Sequence, residues 1–243
     1  MKTLALILHC NTPDLTNSLY ESLAPVANEL YDLYVLDNGS DENKKSRYPS
    51  LFTNENLYFG GGLNWAFDYI IKNKQYDSLL FLNSDLILNG ESFVKTLREE
   101  MFTNNFKILS PSILSEHGKS GAIWKQMENY KTDKTRQVKW IDFQCPLFSR
   151  KFITNVKKFS DDLKFGWGQD ILSGIICLEQ NWKIGVTDKV GVDHIGWATE
   201  RANKSHRRVH RQQKITMRTY FKNINKLEMM HDLRSWADAY KYE

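Results

Sequence analysis

The sequence predicts an α/β fold with a central, mostly parallel sheet and a helical C-terminal extension. Short apolar runs alternate with amphipathic helical segments through about the first 115 residues, and this alternation is typical of doubly wound parallel sheets. Three of the apolar runs stop abruptly at polar clusters, as buried strands do where they leave the core. Residues 201–243 are basic, rich in Met and aromatic residues, and helical in pattern.

Length and composition favour a single globular unit. The chain has 243 residues, of which 41% are hydrophobic and 13% aromatic, which is enough for a substantial core. No apolar run approaches the roughly 20 residues needed to span a bilayer, and the N-terminal LALIL is shorter than the apolar region of a signal peptide. Cys10, Cys145 and Cys177 are too far apart for a zinc or disulfide framework. We therefore expect a cytoplasmic protein, with peripheral membrane contact left open.

The first predicted elements are a strand, a helix and a second strand. TLALILHC (3–10) is a short apolar run, and Thr12 and Pro13 then supply a cap and a first-turn proline that start a helix. LYDLYVLDNGSD (30–41) is predicted as a strand that ends in an acidic turn.

The alternation continues after a glycine run. Gly60 to Gly62 precede apolar residues at helical spacing. SLLFLNSD (78–85) is predicted as the third strand, 91–102 as a helix and 107–114 as a fourth strand.

The pattern changes from about residue 116. Two β-rich pieces flank the charged stretch 125–136, which we predict to be a mobile loop. A helix at 171–180 and a strand at 182–188 are expected to complete this part of the fold.

Polar clusters follow three of the predicted strands. Ligands of open α/β sheets bind beyond the carboxyl ends of the strands, so these clusters are candidate binding residues. Each cluster taken alone could be only a helix cap. The clusters contain His9, Asn11 and Thr12, then Asp37 and Asn38, and finally Asn83, Ser84 and Asp85.

Asp85 is the strongest candidate for a metal ligand. It interrupts the apolar run LLFLNSDLIL, and an ionised carboxylate is costly to bury without a partner. Mg²⁺ and Mn²⁺ take oxygen ligands, and the neighbouring Asn83 or Ser84 could hydrogen-bond a ribose. His194 follows another strand-like run and could be a further ligand or a structural histidine.

The glycine run in NLYFGGGLNW suggests a ligand-binding helix start. Gly60, Gly61 and Gly62 would let the backbone approach a ligand and direct free N–H groups at it. The run matches neither the dinucleotide fingerprint nor the P-loop, and a flexible turn is the alternative.

The stretch FGWGQD (165–170) precedes an apolar helix. Asp170 could be a helix cap or a first-turn acid facing the helix dipole. The functional alternative is a general base, with the indole of Trp167 stacking on a sugar ring.

These stretches, in this order, resemble the family-2-type inverting glycosyltransferases with the GT-A fold, over roughly residues 3–196. The resemblance implies that Asp37 contacts the nucleotide base and ribose. It also implies that Asp85 and His194 bind the metal and that Asp170 is the catalytic base. The segment NLYFGGGLNWAF looks like the family's glycine-rich segment, with Asn64 following the glycines.

Two positions depart from the family pattern. Asn83 replaces the first Asp of the DxD metal motif, which leaves Asp85 as its carboxylate. Gln169 replaces the first of two acids before the helix, and the retained acid is Asp170.

The implied reaction moves a sugar from a UDP-, dTDP- or GDP-type donor to a hydroxyl of a glycan or lipid-linked acceptor, with Mn²⁺ or Mg²⁺ as cofactor. Residues 1–115 would bind the nucleotide sugar and 116–200 the acceptor, with 201–243 as the extension. Trp167, Gly168 and Gln169 are the predicted acceptor contacts. Trp124, Trp140 and Trp197 could stack on sugars or belong to the core. The predicted donor residues are His9, Asn11, Thr12, Asp37, Asn38, Gly60, Gly61, Gly62, Asn64, Asn83, Ser84 and Asp85.

The segment 201–218 holds seven Lys or Arg and no acid, although the net charge of the chain is only +4. It could be a solvated helix face, a partner-helix contact, or a surface for an anionic acceptor or membrane; specific nucleic-acid recognition is not expected. Other functions left open are a sugar-phosphate nucleotidyltransferase, a nucleic-acid- or membrane-binding module without catalysis, and a catalytically dead glycosyltransferase-like domain.

Overall fold

The computed structural model describes residues 2–27, 30–90, 92–116, 124–195 and 206–242. Within these ranges, nine strands form one sheet and seven α-helices accompany it. The strands are β1 (Lys2–His9), β2 (Tyr31–Asp37), β3 (Pro49–Phe52), β4 (Tyr76–Asn83), β5 (Leu86–Asn89), β6 (Phe106–Glu116), β7 (Thr135–Val138), β8 (Leu147–Ser149) and β9 (Lys183–His194). The helices are α1 (Pro13–Leu23), α2 (Tyr58–Lys72), α3 (Phe93–Thr103), α4 (Arg150–Val156), α5 (Gln169–Glu179), α6 (His206–Asn223) and α7 (Leu227–Asp238).

The sheet is mixed, with a parallel majority. Its order is β3-β2-β1-β4-β8-β6-β9-β5, and β7 pairs with β9 beside this path. Strands β1 to β4 are mutually parallel, as are β6 and β9, whereas β5, β7 and β8 run antiparallel to their neighbours. The prediction of a mostly parallel α/β sheet is confirmed.

The apolar runs form central strands because both of their faces are covered. Leu4, Leu6 and Ile7 of β1 are fully buried, as are Leu80 and Phe81 of β4. Strands of parallel sheets buried on both faces are continuously hydrophobic rather than alternating. This packing fixes the carboxyl ends of β1 and β4 side by side.

The strand predicted over 78–85 ends earlier than expected. Strand β4 stops at Asn83, the chain turns at Ser84 and Asp85, and β5 begins at Leu86. The polar triplet is therefore a turn between two strands, which removes the contradiction of a carboxylate inside a core strand.

The prediction of a mobile loop at 125–136 is wrong. Gln126 and Met127 lie in a short 3₁₀ helix and are fully buried. Arg136 forms an ion pair with Asp188 of β9, in which the two side chains are only 9% and 0% exposed. The guanidinium also donates to the Gln126 and Glu128 carbonyls, so the charges bind this segment to the sheet.

The C-terminal helices share a core with the preceding part of the chain. A second hydrophobic cluster lies between α5, α6, α7 and the loop after β7. Its buried members are Trp140, Ile171, Ile175, Met217, Phe221, Met230, Leu233 and Ala237. Trp140 is thus a core residue, and its indole N–H donates to the Leu233 carbonyl at 2.9 Å. Trp197 lies outside the described residues. Among the described helices, none has the length and apolar character needed to cross a membrane.

Candidate active site

Hydrogen bonds join the loops after β1, β2 and β4 into one rim. The hydroxyls of Thr12 and Ser84 lie 2.9 Å apart. The Asn11 side-chain oxygen accepts from the Asp41 backbone N–H at 2.8 Å, and the Asn38 N–H donates to the His9 carbonyl at 2.8 Å. The three polar clusters predicted from sequence therefore meet at one edge of the sheet.

Asp37 offers an oxygen without a partner at this rim. Its Oδ1 accepts from the Ser40 N–H at 2.8 Å, whereas its Oδ2 is buried and has no hydrogen-bond partner in the described part of the chain. Buried polar atoms are nearly always satisfied, so an orphan oxygen calls for an explanation such as a missing ligand. A hydroxyl or N–H group of a ligand would supply the missing donor.

The polar side-chain atoms of His9 and Asn38 make hydrogen bonds within the rim and are therefore not free to contact a ligand. The His9 ring nitrogens lie 2.7 Å from the Thr16 hydroxyl and 3.1 Å from the Lys44 carbonyl. Burial lowers the pKa of His9 and favours the neutral ring. The Asn38 side chain accepts from the Leu57 N–H and donates to the Tyr58 carbonyl. We interpret both as positioning residues.

The glycine run lies inside α2 and serves mainly close packing. The N–H of Gly60 donates to the Lys164 carbonyl at 2.7 Å, and a Cβ at Gly60 would lie 2.5 Å from the Leu163 carbonyl oxygen. A Cβ at Gly62 would lie 2.7 Å from a Leu8 methyl carbon. The expectation that this helix start directs its N–H groups at a ligand is therefore wrong for Gly60.

Asn64 and Gly61 occupy the same helix. The Asn64 amide makes two hydrogen bonds with the Phe159 backbone, at 2.8 and 3.0 Å. Gly61 is the only partly exposed glycine of the run. Helix α2 is thus fastened to the segment 159–164, which leads into the predicted acceptor side.

Asp85 and His194 lie together because β5 pairs antiparallel with the end of β9. Leu86 is the register partner of His194, and the Ile195 N–H donates to the Asp85 carbonyl at 2.9 Å. The Asp85 Oδ1 and the His194 Nε2 are 3.3 Å apart, with the side chains 10% and 12% exposed.

This pair suits a divalent cation as a partial ligand set. A carboxylate oxygen and an imidazole nitrogen are both accepted by Mn²⁺, whereas Mg²⁺ prefers oxygen. The described residues contain no group of three or more His, Cys, Asp or Glu placed to bind a metal. Further ligands would therefore have to come from a bound phosphate or from water.

Asp170 lies in the first turn of α5, two residues after Gly168, whose φ of 93° starts the helix sharply. Its Oδ1 accepts from the Gly168 and Ile171 N–H groups at 3.1 and 2.8 Å. Burial, and after it the Asp142 carboxylate, raise the pKa of Asp170 to about 7, although the Ile171 N–H, Arg234 and the Gly168 N–H oppose the rise. A carboxylate with a pKa near neutrality is a typical general base.

Asp142 is a candidate site residue that sequence reasoning missed. It lies in the loop between β7 and β8, and the Gln144 side-chain amide donates to its Oδ2 at 3.2 Å. The Gln144 carbonyl in turn accepts from the Asn83 N–H at 3.2 Å. This loop therefore borders the Asp85 turn on one side and Asp170 on the other. The available signal is WIDFQCPLF, an apolar run interrupted by one carboxylate, as at Asp85.

Arg234 of α7 was also missed, since nothing in the sequence links a C-terminal helix to residue 170. Its guanidinium carbon lies 5.5 Å from the ring centroid of Trp124, which packs edge-on against Trp140 at 5.1 Å. A cation that acts on the Asp170 carboxylate and a partly exposed indole therefore lie side by side.

The three predicted acceptor residues have different environments. Trp167 is partly exposed, and the Lys214 ammonium lies 5.9 Å from its ring centroid. Gly168 is buried, and a Cβ there would lie 2.9 Å from Met217 and 3.1 Å from Phe221 of α6. Gln169 is fully buried and donates to the Leu163 carbonyl. Of the three, Trp167 has the surface to contact an acceptor.

No protein-family model matches the sequence, and no curated protein sequence matches it. Solved structures do resemble it. A structure of GalNAc-T7 with UDP, GalNAc and Mn²⁺ matches with a TM-score of 0.62 and 11% identity, over 80% of this chain and 44% of that chain. S. aureus TarS matches with a TM-score of 0.56 and 15% identity, over 82% and 38%. A TarS fragment, residues 1–349, matches with a TM-score of 0.55 and 13% identity, over 79% and 60%.

These matches span less than two-thirds of the length of each neighbour. Both neighbours are glycosyltransferases, and the structural match extends over about four-fifths of this chain. The chain has the GT-A glycosyltransferase fold.

Proposed function

We propose that this protein is an inverting glycosyltransferase that moves a sugar from a nucleoside diphosphate sugar to an acceptor hydroxyl. The observation that carries the proposal is the loop 142–144, which borders both the Asp85 turn and the raised-pKa carboxylate Asp170. A metal-binding pair and a base beside one cleft are what this transfer requires.

The donor would bind at the rim formed by β1, β2 and β4. The orphan Asp37 Oδ2 would accept from the ribose, and the half-buried amide of Asn83 and the Ser84 hydroxyl lie at the adjoining turn. UDP is the nucleotide in the GalNAc-T7 neighbour, which makes a UDP-type donor the first to test.

Asp85 and His194 would hold Mn²⁺ or Mg²⁺ at the same rim, and Mn²⁺ is present in that neighbour. When bound, the cation neutralises charge on the leaving diphosphate as a Lewis acid.

Asp170 would accept the proton of the acceptor hydroxyl. The acceptor oxygen forms a bond to the anomeric carbon while the bond from that carbon to the diphosphate oxygen breaks. The bonding electron pair leaves with the nucleoside diphosphate, and the proton remains on the Asp170 carboxylate. The attack comes from the face opposite the leaving group, so the anomeric configuration inverts.

Asp142 and Arg234 would shift the pKa of Asp170 in opposite directions. The negative charge of Asp142 makes the Asp170 carboxylate more basic, whereas the positive charge of Arg234 favours its ionised form. A pKa of about 7 leaves roughly half of the carboxylate ionised at neutral pH.

A donor screen tests the proposal. UDP-, dTDP- and GDP-sugars are each incubated with the protein and Mn²⁺, and both thermal stabilisation and release of the nucleoside diphosphate are measured. We expect one base class to raise the melting temperature and to be hydrolysed slowly, because a ligand that binds only the native state stabilises it. Pyrophosphate release from a nucleoside triphosphate and a sugar phosphate, with no effect of any nucleotide sugar, would contradict it.

A further inference from the structure

Helix α6 carries a stripe of four exposed cations on one face. Arg211, Lys214, Arg218 and Lys222 are all exposed, and their spacings of three, four and four residues place them along one side of the helix. We call these four residues the basic stripe. At 1.5 Å per residue, its ends are about 16 Å apart.

A neighbouring face of α6 packs against the candidate active-site segment. Gln213, Met217 and Phe221 are buried, and the last two lie against Gly168, two residues before Asp170. The orientation of the helix is therefore set by core packing, and the basic stripe faces solvent as a consequence.

The basic stripe has no acidic partners within the described part of the chain. Many other exposed lysines pair with a nearby acid, as Lys45 does with Glu42 and Lys72 with Asp68. The sequence contains no Asp or Glu at all from 201 to 227. Like charges at a spacing of four residues destabilise a helix, so the stripe carries an uncompensated cost that a bound anion would remove.

The basic stripe leads to the predicted acceptor side. The Lys214 ammonium lies 5.9 Å from the centroid of Trp167, whose indole is partly exposed three residues before Asp170. A ligand that follows the stripe would therefore reach the edge of the candidate active site.

We propose that the basic stripe binds successive phosphate groups of a polyanionic acceptor, such as a phosphate-containing glycan or polymer, and guides its end to Trp167 and Asp170. That the bound polyanion is also the sugar acceptor rests on the proposed function. The chemistry of the stripe, cations repeated over about 16 Å, fits an anion that also repeats along its length.

An anionic membrane is the less favoured ligand. Helices that lie in a membrane interface insert an apolar face, but the apolar face of α6 is buried in the protein. Among the described side chains of α6, Ile215 is the one large apolar residue that is exposed.

Direct binding tests this inference on the full chain. The probe is fluorescently labelled long-chain inorganic polyphosphate, titrated at low and at physiological salt. The stripe variant is Arg211→Gln, Lys214→Gln, Arg218→Gln and Lys222→Gln combined. The matched control is Lys45→Gln, Lys72→Gln, Lys95→Gln and Lys158→Gln combined, which removes the same charge from lysines paired with acids elsewhere.

We expect the stripe variant to bind polyphosphate about tenfold more weakly or worse and to lose most of the salt dependence, because fewer counterions are released on binding. The control should stay within about twofold of the unaltered protein. Equal losses in both variants, or no loss in the stripe variant, would overturn the proposal.

Vesicles of phosphatidylglycerol and phosphatidylcholine form the second arm. Stripe-dependent vesicle binding together with stripe-independent polyphosphate binding would also overturn the proposal, in favour of a membrane. Donor hydrolysis without acceptor is measured separately. If hydrolysis fails while stripe-dependent polyphosphate binding persists, the glycosyltransferase assignment is wrong and the anion-binding surface stands.

Discussion

The proposed donor side and the proposed acceptor side of the candidate site are built in different ways. On the proposed donor side, Asp37 is the last residue of β2 and Asp85 lies two residues after β4. Hydrogen bonds from Ser40 to Asp37 and between Thr12 and Ser84 hold these two turns. On the acceptor side, Asp142 comes from a loop, Asp170 from a helix start and Arg234 from α7. The pairing of the sheet strands alone positions the residues of the first side. The residues of the second side come together only when three distant segments pack against one another.

This difference gives the C-terminal helices a role in the site. They bury the second hydrophobic cluster against α5 and Trp140, and so they fix both the helix that bears Asp170 and the loop that bears Asp142. Substitutions on the two sides should therefore have separable effects. Those on the donor side should weaken donor binding, and those on the acceptor side should slow proton transfer.

The largest expected effect is on the acceptor side. Asp170→Asn removes the proton acceptor but keeps the shape of the side chain, so we expect turnover to fall about 10²- to 10⁴-fold. Donor affinity, measured by calorimetry with Mn²⁺, should remain nearly unchanged. The exposed neighbour Asp162→Asn is the control and should retain full turnover. A collapse of donor affinity in Asp170→Asn would place this residue on the donor side instead.

The matching substitution on the donor side is Asp85→Ala. It removes the carboxylate of the metal pair, so Mn²⁺-dependent donor affinity should fall about tenfold or more. Isothermal titration with and without Mn²⁺ measures this loss, and the exposed Asp68→Ala serves as control. Donor affinity that stays equal and metal-dependent in Asp85→Ala would rule out this metal site.

The pH dependence tests whether Asp142 belongs to the acceptor side. A general base must be ionised, so kcat/KM should rise with pH through about 7, the raised pKa of Asp170. Asp142→Asn removes a neighbouring negative charge that raises this pKa, so the rise should move to lower pH. A pH–rate profile with an unchanged midpoint would show that Asp142 does not act on the base.

The smallest expected effect concerns the contact between α2 and the segment that leads to Asp170. Gly60→Ala forces a Cβ to within 2.5 Å of the Leu163 carbonyl oxygen, where α2 meets the segment leading to Asp170. We expect the free energy of unfolding to fall by about 1–3 kcal/mol, as for other overpacked sites. Urea unfolding measures this, with Ser18→Ala on the exposed face of α1 as a control expected within about 0.5 kcal/mol. Equal stability of Gly60→Ala would mean that this close approach is easily relieved.

The sequence alone predicted the mostly parallel sheet, its strands β1, β2, β4 and β6 with the helices between them, and the polar rim, whereas the short strands β3 and β5 were not predicted. Buried strands of a parallel sheet are continuously apolar, and each ends where the run meets polar residues, so this information is local. The expectation of a GT-A fold rested on the same local stretches, and the fold is confirmed. The individual roles of the rim residues remain predictions.

The predictions that were wrong or absent concern residues whose role depends on tertiary packing. The glycines of α2 serve contact with Leu8 and the 163–164 backbone, and the charged stretch 125–136 is held by a buried ion pair with Asp188. Asp142 lay inside a run that looked like an ordinary strand.

The sequence by itself determined that polar clusters follow the apolar runs of β1, β2 and β4, because hydrophobic periodicity reports burial within one element. Only the tertiary structure brings Asp142 and Arg234 close enough to Asp170 to shift its pKa. Hydrophobic periodicity does not indicate which distant element packs against a given face. The charges near a buried carboxylate, and therefore its pKa, depend on which element packs there.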